Sequence, residues 1–435
     1  MAEKIYERLE RISFSRPSGT KEERRAAEIL IREIRGIGLE PEVEEFTYLR
    51  RYPKEAELRA ILEDGSEEAF QVTGVIDAAE TPEEGTETEF YYLKSFDEVS
   101  LTRVKGKLVL IHDRLSPQEY ERLRKAGIAG YLTTSGTVRD TYENSDLETG
   151  RFRDNLHDLG AVPAFTIRMI DAVNLLRSRP KKVFFKLRFR EEEIHSQNIV
   201  VTIEGKKYPD QILVAGAHYD SVPFSLGSWD NGAGAVRILE LLEYYKNRIP
   251  DRTVKAILFG SEETGLRGSR AFLAAHADLG EQILAMLNVD VGGSILGKEI
   301  IFVTASDDTE VWIRQLLKEV GYEAVTTQKL MSSDSASFND WGIPSISIGQ
   351  GAPRGGGYMH TRYDNMDLID EKVLKEEAEF LNTLADRLVN AKVFPIPRFL
   401  PEKLQKEVIS YFGASQSRLV SHPAKPEEKP LPFHF

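Results

Sequence analysis

Four short apolar runs between residues 212 and 348 each lead into side chains of types that can bind metals. They are 212–217 before His218, 256–260 before Glu262 and Glu263, 283–289 before Asp290, and 345–348 before the glycine-rich loop that reaches His360. Such runs are typical of strands buried on both faces, and in open α/β sheets ligands gather at the carboxyl ends of the strands. We therefore expect these side chains to meet at one edge of a central sheet.

Helical periodicity alternates with these strands. The helical segments are 233–245, 268–277, 309–321 and 371–389. This alternation predicts an α/β fold, with a mixed, mostly parallel central sheet and helices on both faces. Near the N-terminus, residues 3–12 are predicted helical, and the capping-box pattern from Thr20 to Glu23 predicts the start of a second helix.

The segment from about 58 to 190 has a different pattern, with short β-type runs separated by acidic, glycine-containing turns. We expect a β-rich α+β domain inserted at 58–190, between residues 1–57 and 191–393 of one catalytic domain. Residues 394–435 form a proline-rich C-terminal extension in this interpretation. His112 and His157 are isolated in the insert, so we interpret them as ordinary surface or core residues.

The composition excludes several classes of protein. Hydrophobic residues make up 41% and charged residues 29% of the 435, which is typical of a folded globular chain with two or three domains. The net charge of −13 argues against nucleic acid or an anionic membrane as the main partner. No apolar run approaches the roughly 20 residues of a membrane span, and no signal peptide is visible. A cytoplasmic location is expected, unless a signal sequence has been removed.

The absence of cysteine means that any metal must be held by His, Asp and Glu. Metal-assisted hydrolysis needs a cation that lowers the pKa of water, an open coordination position and a nearby base. A two-metal site also needs a bridging carboxylate, and Asp230, in a loop just before a helix, is the candidate. Taken singly, His218 could be structural, Glu262 a solvated turn residue and Asp290 a helix cap. These interpretations do not explain why every such acid follows an apolar run.

Five motifs resemble, in order and spacing, those of the co-catalytic di-zinc aminopeptidase family. They are His218-Tyr-Asp-Ser, Asp230-Asn-Gly-Ala-Gly, Gly260-Ser-Glu-Glu-Thr-Gly-Leu-Arg-Gly-Ser, Asn288-Val-Asp and His360-Thr-Arg-Tyr-Asp. The family includes bacterial leucyl-type aminopeptidases, glutamate carboxypeptidase and the transferrin receptor. The resemblance extends over residues 198–391. Residues 13–20 are similar to the family's N-terminal helix region, and the insert is similar to its protease-associated domain.

The resemblance implies two zinc ions. One would be bound by His218 and Asp290, and the other by Glu263 and His360. Asp230 would bridge the two ions. The family often has a cis peptide after the bridging aspartate, so a cis bond is expected after Asp230.

The resemblance also implies catalytic roles for two further acids. Glu262 would be the general base, since the base must stay off the metal to accept the proton of water and pass it to the leaving amine. Asp220 would hold the other imidazole nitrogen of His218. One departure concerns the oxyanion, because Met359 stands where several relatives have a tyrosine, with Tyr358 one residue earlier.

The implied function is that of a zinc-dependent exopeptidase that removes N-terminal residues from peptides. A carboxypeptidase and a glutaminyl cyclase-like enzyme stay open as alternatives, since both reuse these ligands. A cyclase keeps one zinc, and a carboxypeptidase accepts N-blocked peptides. A non-catalytic binding protein is a more distant alternative, because such a protein has no reason to retain the complete ligand set. A homo-oligomer is compatible with the sequence.

Overall fold

The chain divides into two compact units. The computed structural model describes residues 5–112, 115–152, 154–352 and 358–424. Unit 1 takes Met1–Tyr48, His195–Ser410 and Ser417–Phe435, and unit 2 takes Leu49–Ile194 and Tyr411–Gln416. The boundaries therefore fall at 48/49 and 194/195, where the sequence suggested 57/58 and 190/191. The C-terminal extension contributes residues to both units.

The strands and helices alternate along most of the chain. The strands are β1 (Glu42–Ile61), β2 (Glu67–Phe70), β3 (Val72–Gly74), β4 (Thr86–Thr88), β5 (Phe90–Tyr92), β6 (Leu108–Leu110), β7 (Gly130–Ser135), β8 (Ala164–Arg168), β9 (Lys182–Ile203), β10 (Tyr208–His218), β11 (Arg252–Phe259), β12 (Ile283–Val289), β13 (Lys298–Thr304), β14 (Val325–Thr327) and β15 (Ser345–Gly351). The helices are α1 (Ile5–Ile12), α2 (Lys21–Ile37), α3 (Glu98–Leu101), α4 (Pro117–Ala126), α5 (Asp154–His157), α6 (Met169–Ser178), α7 (Ala233–Tyr245), α8 (Arg267–Ala275), α9 (Asp307–Val320), α10 (Ser335–Asp340), α11 (Glu371–Val389), α12 (Glu402–Phe412) and α13 (Arg418–Ser421). A π-helical turn covers Ser228–Gly232, and 3-10 turns cover Ala277–Leu279 and Met366–Leu368.

The central sheet of unit 1 has neighbouring strands in the order β14-β13-β15-β12-β10-β11-β9. β10 is parallel to both β11 and β12, β12 is parallel to β15, and β13 is parallel to β14. Only the pairings of β13 with β15 and of β11 with β9 are antiparallel within this described order. The prediction of a mixed, mostly parallel sheet is confirmed.

Helices cover both faces of this sheet, as β10 shows. Leu213 and Ala215 pack into a large core that contains residues of α1, α2, α7 and α11. Val214, between them in sequence, faces a smaller core with Phe272 of α8 and Phe338 of α10. Each fully buried side chain of this size contributes roughly 1.5–3 kcal/mol, which explains why the run is apolar on both faces. None of the described helices is long and apolar enough to cross a membrane.

Unit 2 has its own sheet and its own core. Its five-stranded sheet has the order β3-β8-β7-β6-β5, in which β5 to β8 are mutually parallel and β3 is antiparallel to β8. Helix α4 begins with a capping box formed by Ser116 and Glu119. Tyr120 and Leu123 of the same helix are buried in the core. Unit 2 therefore has the core of an independent folding unit.

Candidate metal centre

The parallel register brings the ends of three strands to one edge of the sheet. His218, the last residue of β10, is buried and pairs with Phe259, the last residue of β11. Glu262 follows Phe259 by three residues. β12 ends at Val289, so Asp290 comes directly after it. This edge is where the sequence predicted that the side chains would meet.

Asp230 lies between the two histidines. Its Oδ1 atom is 3.2 Å from Nε2 of His218, and its Oδ2 atom is 3.2 Å from Nε2 of His360. The Nε2 atom of His218 is also 3.3 Å from Oδ1 of Asp290. The Nε2 atom of His360 is also 3.1 Å from Oε2 of Glu263. The five predicted ligands thus form two groups that share Asp230.

Glu262 is the sixth acid or histidine at this edge of the sheet. Its carboxylate forms a third group with His218 and Glu263, with potential ligand atoms within 4.8 Å of one another. Burial is the main cause that raises the pKa of Glu262 well above its ordinary value, and the neighbouring Glu263 adds to it although His218 opposes it. A raised pKa is the property that a general base working near neutral pH needs.

Asp220 is buried beside the turn that carries Glu262 and Glu263. It accepts the backbone N–H of Glu262 at 3.0 Å and that of Glu263 at 3.2 Å. It also accepts the hydroxyl of Ser18 at 2.7 Å. Its Oδ1 atom is 3.4 Å from Nδ1 of His218. This Nδ1 atom has no hydrogen-bond partner within the described ranges. Asp220 therefore lies at the expected nitrogen but accepts its hydrogen bonds from the turn and from Ser18.

The peptide bond between Asp230 and Asn231 is cis, which confirms the prediction. The side chain of Asn231 is buried, and its Oδ1 atom accepts the N–H of Gly234 at 2.9 Å and that of Val291 at 3.1 Å. Its Nδ2 group donates to the carbonyl of Val289 at 2.8 Å. Asn231 thus connects the loop of the shared aspartate to the chain on both sides of Asp290.

Arg16 anchors the loop between His218 and Asp230. Its buried guanidinium donates to the carbonyls of Tyr219, Leu226 and Gly227. Burial lowers the pKa of Arg16 to about 10, although nearby carboxylates oppose this shift. The side chain therefore keeps its positive charge at neutral pH. The sequence signal for it was only its place in the segment 13–20.

Tyr358 and Asp334 lie near the centre with different environments. The hydroxyl of Tyr358 lies 2.9 Å from Oγ of Ser294, and its ring packs 4.9 Å from that of Trp229. Tyr358 is therefore held by Ser294, in the loop after Asp290, and by the ring of Trp229. The carboxyl of Asp334 is buried without a hydrogen-bond partner in the part of the chain that the structure describes, and burial raises its pKa to about 7.

The donor set fits metal ions. The carboxylate of Glu263, with burial opposing it, raises the pKa of His360 to about 12, with Asp230 adding to the effect. Burial works against ionisation of Asp230, yet the two histidines hold the pKa of Asp230 below its ordinary value. The Oε1 atom of Glu263 is buried and has no hydrogen-bond partner among the described residues. Cations between these nitrogen and oxygen donors would supply that partner and balance the carboxylates.

Residues 198–385 match the family model described as Peptidase family M28. The chain is 26% identical to Aminopeptidase YwaD of Bacillus subtilis (strain 168), covering 87% of this chain and 82% of that protein. It is 25% identical to Carboxypeptidase Q of Bos taurus, covering 86% and 82%. The solved structure of BSAP, a zinc aminopeptidase from Bacillus subtilis, covers 92% of this chain and 98% of its own, with a TM-score of 0.71 and 21% identity.

The fold and the paired ligand groups define a metal-dependent hydrolase of the α/β type. The match over residues 198–385 identifies this part of unit 1 as a domain of Peptidase family M28. The resemblance drawn from the five motifs is therefore confirmed, and the protein is a metallopeptidase.

Proposed function

We propose that the protein is a zinc-dependent aminopeptidase that hydrolyses N-terminal residues from peptides, with Glu262 as the general base. The position of Asp230, with one carboxylate oxygen toward each of two histidines, carries this proposal. A carboxylate placed in this way suits a bridge between two metal ions. The nitrogen and oxygen donors suit zinc, and the similarity to zinc aminopeptidase BSAP supports that choice.

The two groups of donors support an assignment of the ligands. His218 and Asp290 would hold one zinc, Glu263 and His360 would hold the other, and Asp230 would bridge them. When bound, the two ions would polarise the scissile carbonyl and lower the pKa of the attacking water.

The protein's own contribution to the reaction lies mainly in Glu262 and the residues that hold it. Its carboxylate accepts no hydrogen bond within the described residues, so it is available to take the proton of the attacking water and return it to the leaving amine. Asp220 holds the backbone on which this carboxylate stands. The base therefore acts from a turn whose position is set by a buried acid.

The charge of the centre favours a free amino terminus. Five carboxylates line it. They are Asp220, Asp230, Asp290, Glu262 and Glu263. When bound cations keep all five ionised, their charges exceed by one the four positive charges of two divalent ions. A substrate ammonium group is attracted to such a centre, whereas a C-terminal carboxylate is repelled. This balance supports an aminopeptidase over a carboxypeptidase.

A carboxypeptidase is the second candidate, because the relatives include Carboxypeptidase Q of Bos taurus over 86% of this chain. It would cleave N-acetylated peptides that have a free C-terminus, and an aminopeptidase would not. A glutaminyl cyclase-like enzyme would bind one zinc per chain. The two donor groups around Asp230 support two ions instead.

The test compares free-amine peptides with their N-acetylated forms on the zinc-loaded protein, with metal analysis of the same sample. We expect two zinc ions per chain, cleavage of the free-amine peptides only, and loss of cleavage with a chelator. Glu262→Gln should lose cleavage by at least about a hundredfold while it keeps its zinc, and Glu323→Gln, an exposed acid, is the control. Chelator-insensitive cleavage, or full activity of Glu262→Gln, would contradict the proposal.

Four further expectations belong to the same proposal. Unit 2 is proposed to be a protease-associated domain, on the similarity of its sequence. A cytoplasmic location and assembly into a homo-oligomer are compatible with the sequence, and light scattering of the purified protein checks the second. The main partner is the peptide substrate.

A further inference from the structure

Two buried carboxylates hold three consecutive backbone N–H groups of one turn. The turn connects β11 to α8, and it carries Glu262 and Glu263. Asp220 accepts the N–H of Glu262 at 3.0 Å and that of Glu263 at 3.2 Å. Glu23 accepts the N–H of the preceding residue, Ser261, at 2.9 Å. The turn is therefore fixed from outside, by acids that come from other elements.

The side chain of Glu23 accepts four hydrogen bonds, three of them on its Oε1 atom. It lies in the first turn of α2 with about 1% of its surface exposed. Its Oε1 atom accepts the hydroxyl of Ser261 at 3.1 Å and that of Ser196 at 2.9 Å. Its Oε2 atom accepts the N–H of Gly19 at 2.6 Å. Burial of an acid without a neighbouring cation costs free energy unless hydrogen-bond donors surround the carboxyl group. The buried position of Glu23 therefore needs a structural explanation.

The backbone conformation of Ser261 provides this explanation. Its φ is 56°, in the left-handed region, although it is not a glycine. This conformation is sterically unfavourable for a residue with a Cβ atom. It persists only where surrounding contacts enforce it. Glu23 binds both the N–H and the hydroxyl of Ser261, and thus provides such contacts.

We propose that Glu23 is a positioning residue of the peptidase reaction, which holds Ser261 in its left-handed conformation and so fixes the direction of Glu262. This inference rests on the proposed role of Glu262 as base. A carboxylate accepts hydrogen bonds on both of its terminal oxygens, whereas an amide accepts on one. An amide in its place turns its NH2 group toward either the N–H of Gly19 or the N–H and hydroxyl of Ser261. Two donors face each other in either orientation, so the side chain is displaced from its contacts with Ser261. The turn then relaxes, and the base moves away from the line of proton transfer.

The first test replaces Glu23 by Gln in the full-length, zinc-loaded protein. We expect kcat to fall by about ten- to a hundredfold, the range that a misplacement near 1 Å produces. KM and the zinc content should stay within about twofold of wild type, because Asp220 still holds the N–H of Glu263 and Glu23 makes no hydrogen bond to a proposed zinc ligand. Glu28→Gln, an exposed acid on the same helix, is the matched control and should behave as wild type.

A second test asks whether Glu23 acts through Ser261. Ser261→Gly removes the penalty for a positive φ, so the fold-loss caused by Glu23→Gln should be smaller in that background. An equal fold-loss in both backgrounds would mean that the two positions are independent, and would overturn the proposal. Wild-type kcat in Glu23→Gln would overturn it too.

A third variant covers the case in which Glu23→Gln does not fold. Glu23→Asp keeps the carboxyl group but withdraws it from Ser261 by one methylene group, and we expect a loss of kcat with unchanged KM. Wild-type kcat in a folded Glu23→Asp protein would count against the proposal. The same assays include wild type and Glu262→Gln. If wild type cleaves and Glu262→Gln does not, the proposed function stands whatever the Glu23 variants do.

Discussion

Asp364 accepts the backbone N–H of Asp230 at 3.1 Å, so one buried acid holds the main chain of another. The other oxygen of Asp364 accepts the N–H of Trp229 at 2.7 Å. Burial raises the pKa of Asp364 to about 7, with the charge of Asp230 adding to the shift. Asp230, which the two groups of donors share, is therefore fixed through its backbone N–H. Its two carboxylate oxygens point at His218 and His360.

Replacing Asp364 by Asn should loosen Asp230. The amide has one acceptor atom instead of two, so one of the two buried N–H groups loses its partner at a cost of about 1–3 kcal/mol. We expect lower thermal stability and a lower affinity for zinc, with activity reduced about tenfold. Zinc titration and thermal unfolding check this.

Asp367→Asn is the matched control for that variant, because Asp367 is an exposed acid on the neighbouring turn. It should leave both stability and zinc affinity unchanged. If Asp364→Asn bound zinc with wild-type affinity, the hydrogen bonds of Asp364 would not be what holds Asp230 in place.

Four of the five proposed ligands could be expected from the sequence because they follow apolar runs, whereas Asp230 lies in a loop before a helix, and the division of the five between two zinc ions came from the family resemblance. Burial on both faces makes such runs visible, and parallel pairing puts their ends at one edge of the sheet. The register between His218 and Phe259 shows this directly. The structure brings together all seven residues to which the sequence gave a site role, although Asp220 makes its hydrogen bonds mainly to the turn of Glu262.

The role of Glu23 could not be predicted in the same way. The local pattern from Thr20 to Glu23 predicts a capping box, in which the glutamate would bind back to the N-cap backbone. Only half of that box forms, since Thr20 accepts the N–H of Glu23 at 3.2 Å. The carboxylate instead binds Ser261, 238 positions away in sequence. A tertiary contact of this separation leaves no periodic signal.

No sequence pattern marks the boundaries between the two units. Both lie inside long strands, β1 of 20 residues and β9 of 22 residues. Domain boundaries are usually recognised from polar, glycine- or proline-rich linkers, and a continuous strand has none of these. The composition changes therefore do not coincide with the boundaries. Position 58 lies inside unit 2, and position 190 lies close to the end of its main segment at Ile194.

Zinc affinity should fall as the pH is lowered. In the metal-free protein, carboxylates raise the pKa of His360 to about 12, and they raise that of His218 well above its ordinary value against the effect of burial. Both imidazoles then carry a proton at neutral pH, and zinc must displace it. We expect affinity to change roughly tenfold per displaced proton and pH unit. Calorimetric titration between about pH 6 and 8 in two buffers of different ionisation enthalpy measures this; a pH-independent affinity without proton release would contradict it.

Arg16→Lys should destabilise unit 1. A lysine carries the same charge but cannot reach the carbonyls of Tyr219, Leu226 and Gly227 with one planar group. At least one buried carbonyl loses its donor, so we expect a loss of about 2 kcal/mol or more in the free energy of unfolding. Urea unfolding measures it. Arg32→Lys, at an exposed position of α2, is the control and should have the wild-type value.

Glu299, which is not one of the proposed metal ligands, should make the free energy of unfolding depend on pH. Burial, followed by the carboxylate of Glu377, raises the pKa of Glu299 from 4.5 to about 8. Between these values the folded chain holds a proton that the unfolded chain has lost, so this group's contribution to stability falls as the pH rises through the window. Glu299→Gln has no proton to lose, and its carbonyl can still accept the hydrogen bond that Gln350 gives to Glu299 at 2.9 Å.

The stability of Glu299→Gln relative to wild type should therefore increase with pH, by at least about 1 kcal/mol between pH 5 and 8. Urea unfolding of both proteins at each pH gives this difference, and the titrations of the metal centre cancel because both proteins share them. Glu376→Gln, an exposed acid next to Glu377 on α11, should show no such trend. Parallel pH profiles for wild type and Glu299→Gln would mean that Glu299 is already ionised in the folded protein near neutral pH, and that Arg237, which lies 3.1 Å from Glu377, compensates both carboxylates.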